Sequence, residues 1–101
     1  MFLVTKTFQI NLNTMDINQL RTQGVKILDV RSKDEFDGGH IDGSVNISVN
    51  EIQSRMDEVK ALGSPLIVCC LSGGRAGVAK ALIEAAGVKE VYNAGGWESL
   101  L

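Results

Sequence analysis

Residues 66–70, Leu-Ile-Val-Cys-Cys, form an unbroken apolar run, and Gly73 and Gly74 follow within four positions. The run is too short for a helix and has no polar alternation. Its length and β-branching describe a central strand buried on both faces. Such a strand needs a covering layer on each side, which restricts the chain to an α/β arrangement. The rest of the sequence fits. Short Val- and Ile-rich runs at residues 26–30, 45–47 and 90–92 alternate with amphipathic stretches. The apolar stretch over residues 2–10 reads as an edge strand, for a total of five. Strands separated by helices need crossover connections, so the sheet is expected to be mainly parallel with helices on both faces.

The helices carry local start and stop signals. Ser32 and Glu35 have capping-box spacing ahead of a short helix that Gly38 and Gly39 stop. Ser48 and Glu51 repeat that spacing, with Ile47 and Ile52 placed as a hydrophobic staple. Ile52, Met56, Val59 and Leu62 then follow one helical face until Gly63 and Pro65. An Ala-rich helix is expected over about residues 75–86, closed by Gly87. Near the start, Thr14 or Asn13 can cap a helix that turns Met15, Ile17 and Leu20 inward. Gly95-Gly96-Trp97 leads into a final turn or stub of helix.

The chain has 101 residues, 45% hydrophobic and 22% charged, which suits one globular domain over residues 1–101 with a single modest core. A net charge of −2 with no basic block argues against nucleic acid or an anionic membrane surface as partner. No apolar run is long enough to span a bilayer, and the first thirteen residues make a poor signal peptide, so a cytoplasmic location is expected. Cys69 and Cys70 are neighbours. They cannot staple distant segments, and they lack the paired spacing of a zinc site. Packing or thiol chemistry remains, with no metal or cofactor expected.

The chemistry points to Cys70-Leu71-Ser72-Gly73-Gly74-Arg75, between the buried strand and the Ala-rich helix. In an open parallel sheet, ligands bind beyond the carboxyl ends of the strands. Two glycines let the loop curl so that successive backbone N–H groups face one spot, a nest for an anion at a helix N-terminus. Arg75 adds a cation there. These surroundings stabilise a Cys70 thiolate, expected to be exposed at the end of the sheet, and suit it to nucleophilic catalysis. Cys69 precedes it on the strand and points to the opposite face, where packing is its role.

Asp29 ends an apolar strand, where an unpaired carboxylate is costly to bury. It is expected to accept hydrogen bonds from the loop backbone or to pair with Arg31, both as supports rather than catalysts. Arg75 either binds substrate or braces the loop by pairing with Glu35. His40 is the only histidine, yet a loop-stabilised thiolate needs no base. Trp97 is read as a packing residue.

Four motifs in order resemble the rhodanese-like domain family, from about Thr14 to the end. They are Ile27-Leu28-Asp29-Val30-Arg31; then Glu35-Phe36, Gly39-His40-Ile41, Gly43 and Asn46-Ile47; then the C-x-S-G-x-R loop at residues 70–75; then Gly95-Gly96-Trp97. The resemblance implies a three-layer fold around a five-stranded, mainly parallel sheet. It implies a sulfurtransferase in which Cys70 takes the outer sulfur of a small anionic donor, thiosulfate or a persulfide, and becomes a persulfide itself. The sulfur then passes to cyanide or a thiol, a protein acceptor included. In family terms the cradle is the backbone N–H groups of Leu71, Ser72, Gly73, Gly74 and Arg75. Asp42 and Ala76 stand where the family usually has Pro and often has Ser. Two other readings are open: a non-catalytic binding module, and a small Cys-dependent phosphatase or arsenate reductase. Related phosphatases place one more residue between Cys and Arg than the four found here, so the short loop favours sulfur over phosphate.

Overall fold

The computed structural model describes residues 16–101. In chain order the elements are α1 (Ile17–Thr22), β1 (Lys26–Asp29), α2 (Lys33–Asp37), β2 (Val45–Asn46), a 3-10 turn (Val49–Glu51), α3 (Met56–Ala61), β3 (Leu66–Cys70), α4 (Gly74–Ala85), β4 (Val91–Gly96) and a closing 3-10 turn (Trp97–Leu100). The four strands form one sheet in the order β2-β1-β3-β4, and every pairing is parallel. The α/β expectation holds, with four strands among the described residues. The edge strand expected at residues 2–10, the caps Asn13 and Thr14, and Met15 lie outside them.

β3 is buried at every position, as its composition demands. The pleat sorts its side chains alternately. Leu66, Val68 and Cys70 join Leu28, Val30, Val59, Ala76, Ala79 and Ile83 in one core cluster, against α3 and α4. Ile67 and Cys69 join Leu20, Ile27, Ile41 and Leu100 in a second, against α1 and the closing turn. Each fully buried Leu or Ile is worth about 2 kcal/mol in area removed from water, so the sheet is a firm platform for the loops at its carboxyl end.

Local signals held where the chain alone decides geometry. Ser32 caps α2, with both arms of the capping box made by Glu35. At α1 the cap is Asp16, boxed with Gln19, rather than a residue further upstream. The single helix expected after Ser48 is instead a 3-10 turn followed by α3. Ser48 Oγ accepts from Asn50 N, two residues on instead of the three a capping box spans, and the chain turns for four more residues before α3 begins at Met56. β4 runs on to Gly96, well past the three residues expected. Its register with β3 shifts between Val68 and Cys70, with Val68 opposite Asn93 and Cys70 opposite Gly96. That bulge is why a segment read as a turn still pairs as strand. None of the described helices is long and apolar enough to cross a membrane.

Candidate active site

Cys70 is the last residue of β3, and α4 begins at Gly74. The link between them turns sharply because Gly73 takes φ +105°, a value that favours glycine. The turn aims Gly73 N at Cys70 Sγ, 2.9 Å away. Burial acts to raise the thiol pKa. The backbone N–H groups of Ala76, Gly73, Ser72 and Arg75 act the other way and win, leaving Cys70 below the ordinary thiol value. The amides that favour the thiolate come from the expected loop and from one residue beyond it. Ala76, in the first turn of α4, supplies an amide. Among the expected donors, Gly73 N makes the 2.9 Å contact, and the amides of Ser72 and Arg75 also favour the thiolate.

The exposure expected of Cys70 needs correction. The residue is only 1% exposed, because the amides that hold the sulfur also roof it. Leu71, Ser72 and Gly74 of the loop are themselves exposed. A donor must reach the sulfur past this loop. A cleft of about 540 Å³ beside Phe36, Asn46 and Arg55 is lined by none of residues 70–75.

β4 holds the loop from the other side. Asn93 Nδ2 donates to Gly73 O at 3.1 Å, and Asn93 Oδ1 accepts from Gly95 N at 2.8 Å. The chains approach so closely at Gly96 that a Cβ there would stand 2.5 Å from Leu71 O. Sequence reasoning missed Asn93, whose partner lies twenty residues away. The neighbouring pair of glycines was the available signal of a close backbone approach.

Asp29 and Arg31 form a buried pair, 0% and 3% exposed. Arg31 Nη2 donates to Asp29 Oδ2 at 2.6 Å, and Arg31 Nε lies 2.9 and 3.0 Å from the two carboxylate oxygens. Arg31 Nη2 also reaches Gly39 O at 2.8 Å, and the guanidinium lies 4.6 Å from the centre of the Trp97 ring. Asn46 Nδ2 bridges the carbonyls of Asp29 and Arg31. This knot ties β1, the Gly39 turn, β2 and the C-terminal turn into one support. Arg75 pairs with Glu35 through two hydrogen bonds, Nη1 to Oε1 at 2.6 Å and Nη2 to Oε2 at 3.1 Å. The Arg75 guanidinium, then the Ser32 backbone N–H, hold the Glu35 carboxyl down to about 2. The pair's contribution to loop closure is thus complete above the ordinary carboxyl range and lost only as pH falls through about 2. His40 stacks on Phe36, and its Nδ1 lies 2.8 Å from the Phe36 carbonyl oxygen, which braces the turn after α2.

Cys69 lies on the other face, opposite Asp29 in the strand register. Burial, and then the nearby carboxylate, push its thiol up to about 12. The two neighbouring cysteines therefore titrate apart. Ultraviolet thiolate absorbance should rise in one step below the usual thiol range and in a second near pH 12. The first step should vanish in Cys70→Ser. A single step at or above pH 9 would contradict the amide ring. No group of three or more His, Cys, Asp or Glu among the described residues is arranged to hold a metal ion.

A model of the rhodanese-like domain family matches residues 16–101. The uncharacterized protein YqhL of Bacillus subtilis is 34% identical over 68 residues, which is 67% of this chain and 53% of that protein. The chain thus spans about half the length of that relative. Thiosulfate sulfurtransferase GlpE of Pseudomonas syringae is 35% identical over 80 residues, 78% of this chain and 74% of that enzyme. Among solved structures, the human single domain sulfurtransferase TSTD1 superposes with a TM-score of 0.67 at 28% identity. The match covers 83% of this chain and 88% of that one.

Proposed function

The chain belongs to the rhodanese-like domain family, and from that premise we propose that it is a sulfurtransferase that carries sulfur as a persulfide on Cys70. One observation supports this reading most: the ring of amides converging on Cys70 Sγ at the N-terminus of α4, which lowers the thiol pKa despite burial. Thiolate is the attacking form. It forms a bond to the outer sulfur of the donor, and the donor's own sulfur–sulfur bond breaks. With thiosulfate, the electron pair of that bond leaves on sulfite. With a hydropersulfide RS–SH it leaves on RS⁻, and the proton stays on the transferred sulfur. A second nucleophile, cyanide or a thiolate, then takes the outer sulfur and returns the Cys70 thiolate. No electrons enter or leave the system, so neither a metal nor a redox cofactor is called for. Two half-reactions through one covalent intermediate imply ping-pong kinetics.

The amides that hold the thiolate suit the persulfide anion equally, since both present a single negative charge to backbone dipoles. Asp29, Arg31 and Glu35 act as supports in this scheme and touch no reacting atom. The setting proposed is the cytoplasm, with a small thiol or a protein thiol as acceptor.

Intact-protein mass spectrometry tests the reading. Incubation with thiosulfate should add the mass of one sulfur, and cyanide should remove it with release of thiocyanate. A protein that gains no sulfur from thiosulfate or from a hydropersulfide is a binding module instead.

A further inference from the structure

Arg75 stands at the mouth of the loop, where it would be the natural contact for an anionic donor, yet its charge is already matched. Glu35 holds it with two hydrogen bonds, and both side chains are about one-third exposed, at 36% and 34%. Glu35 is itself pinned. Its Oε1 accepts from Ser32 N at 3.0 Å and from Ser32 Oγ at 3.1 Å, the reciprocal arm of the α2 capping box. The carboxylate is thus built into the start of α2 and is not free to swing aside for a competing anion. The other guanidinium at this end of the sheet, Arg31, is matched by Asp29 in the same way. Lys33, on the same helix as Glu35, is paired with Asp37. The amides that remain are directed at Cys70 Sγ.

We infer that Glu35 is a specificity-determining residue: by neutralising Arg75 it turns the loop away from the thiosulfate dianion and toward sulfur donors of lower charge, hydropersulfides of carbon-bearing thiols. This rests on the reading of Cys70 as the sulfur-accepting nucleophile. A donor meets a thiolate at the moment of attack. Thiosulfate brings two further negative charges to a mouth with no spare cation among the described residues, whereas the sulfurs of a hydropersulfide bring at most one. Leu71, directly after the nucleophile, is 56% exposed and offers apolar surface that thiosulfate cannot use but a carbon-bearing donor can.

The test compares single-turnover loading of Cys70 from thiosulfate and from 2-hydroxyethyl hydropersulfide, read by intact mass. Wild-type protein should load faster from the hydropersulfide. Glu35→Gln keeps the capping box, which accepts Gln at that position, but frees the charge of Arg75. The ratio of thiosulfate to hydropersulfide loading should rise about 10-fold, the scale of one unit charge a few ångströms away in a half-solvated site. Arg75→Met leaves Glu35 unmatched and should lower the ratio by a similar factor. Wild-type protein supplies a measurement that needs no variant. Raising salt screens the repulsion and should raise the ratio. A wild-type preference for thiosulfate, or a ratio that neither Glu35→Gln nor salt moves, overturns the inference while leaving the Cys70 persulfide in place. Absence of loading from both donors overturns the proposed function as well.

Discussion

Cys70→Ser is expected to gain no sulfur from any donor and to lose transferase activity by about 10³-fold or more, to background, whereas Cys69→Ser keeps most of both. The contrast comes from geometry rather than from residue type. A serine oxygen in the amide ring remains a protonated alcohol, and even when ionised it forms no persulfide. Cys69 is fully buried among Leu20, Ile27, Ile67 and Leu100 on the far face, with its thiol pushed up to about 12, and never meets a donor. Placing a hydroxyl there costs stability, about 1–3 kcal/mol if it finds no partner. Cys69→Ala therefore serves as the companion variant, free of that penalty. Intact-mass loading and thiocyanate release on the three variants read the outcome. Reversed roles for the two cysteines would show that the loop is centred on the wrong sulfur.

The second large effect is on stability. Arg31→Met should lower the unfolding free energy by about 3–5 kcal/mol, because it strands the Asp29 carboxylate at 0% exposure with its cation removed. For a domain of this size that corresponds to a melting temperature lower by about 12–30 °C. The Arg31 guanidinium also holds Gly39 O and lies over Trp97, so the loss spreads beyond the ion pair. The double variant Asp29→Leu with Arg31→Met removes both charges and should recover much of the loss, since a buried pair is often no better than an apolar replacement of similar volume. Denaturant unfolding of the three variants measures the coupling. A single variant that falls by less than about 1 kcal/mol would mean that solvent reaches the carboxylate after all.

What the sequence revealed and what it concealed divide along physical lines. The strand at Leu66–Cys70 is legible because five apolar residues in a row leave one way to be buried. The Ser32–Glu35 cap is legible because its partners are three residues apart. The Asp29–Arg31 pair could be anticipated from the cost of an isolated buried carboxylate. By contrast, the amide of Ala76 enters the ring through the pitch of the first turn of α4, and a backbone donor leaves no trace in residue type. The hold of Asn93 on Gly73 O depends on the bulge that sets β4 against the loop, and strand register is decided by the whole sheet. The chain from Ser48 to Ala61 has capping-box spacing and an apolar stripe, but Ser48 bonds one residue too early, and spacing alone does not say which donor a serine takes. The low exposure of Cys70 was hidden for the same reason: a loop curled tightly enough to surround a sulfur also covers it.

The pleat of β3 has one more consequence. Adjacent residues on a strand face opposite sides, so Cys69 and Cys70 are kept apart by the thickness of the sheet although one peptide bond joins them. No internal thiol stands ready to discharge whatever Cys70 carries by closing a ring with it. On the proposed reading, a sulfur taken up by Cys70 has to leave outward to another molecule, which suits transfer between partners rather than an internal redox cycle.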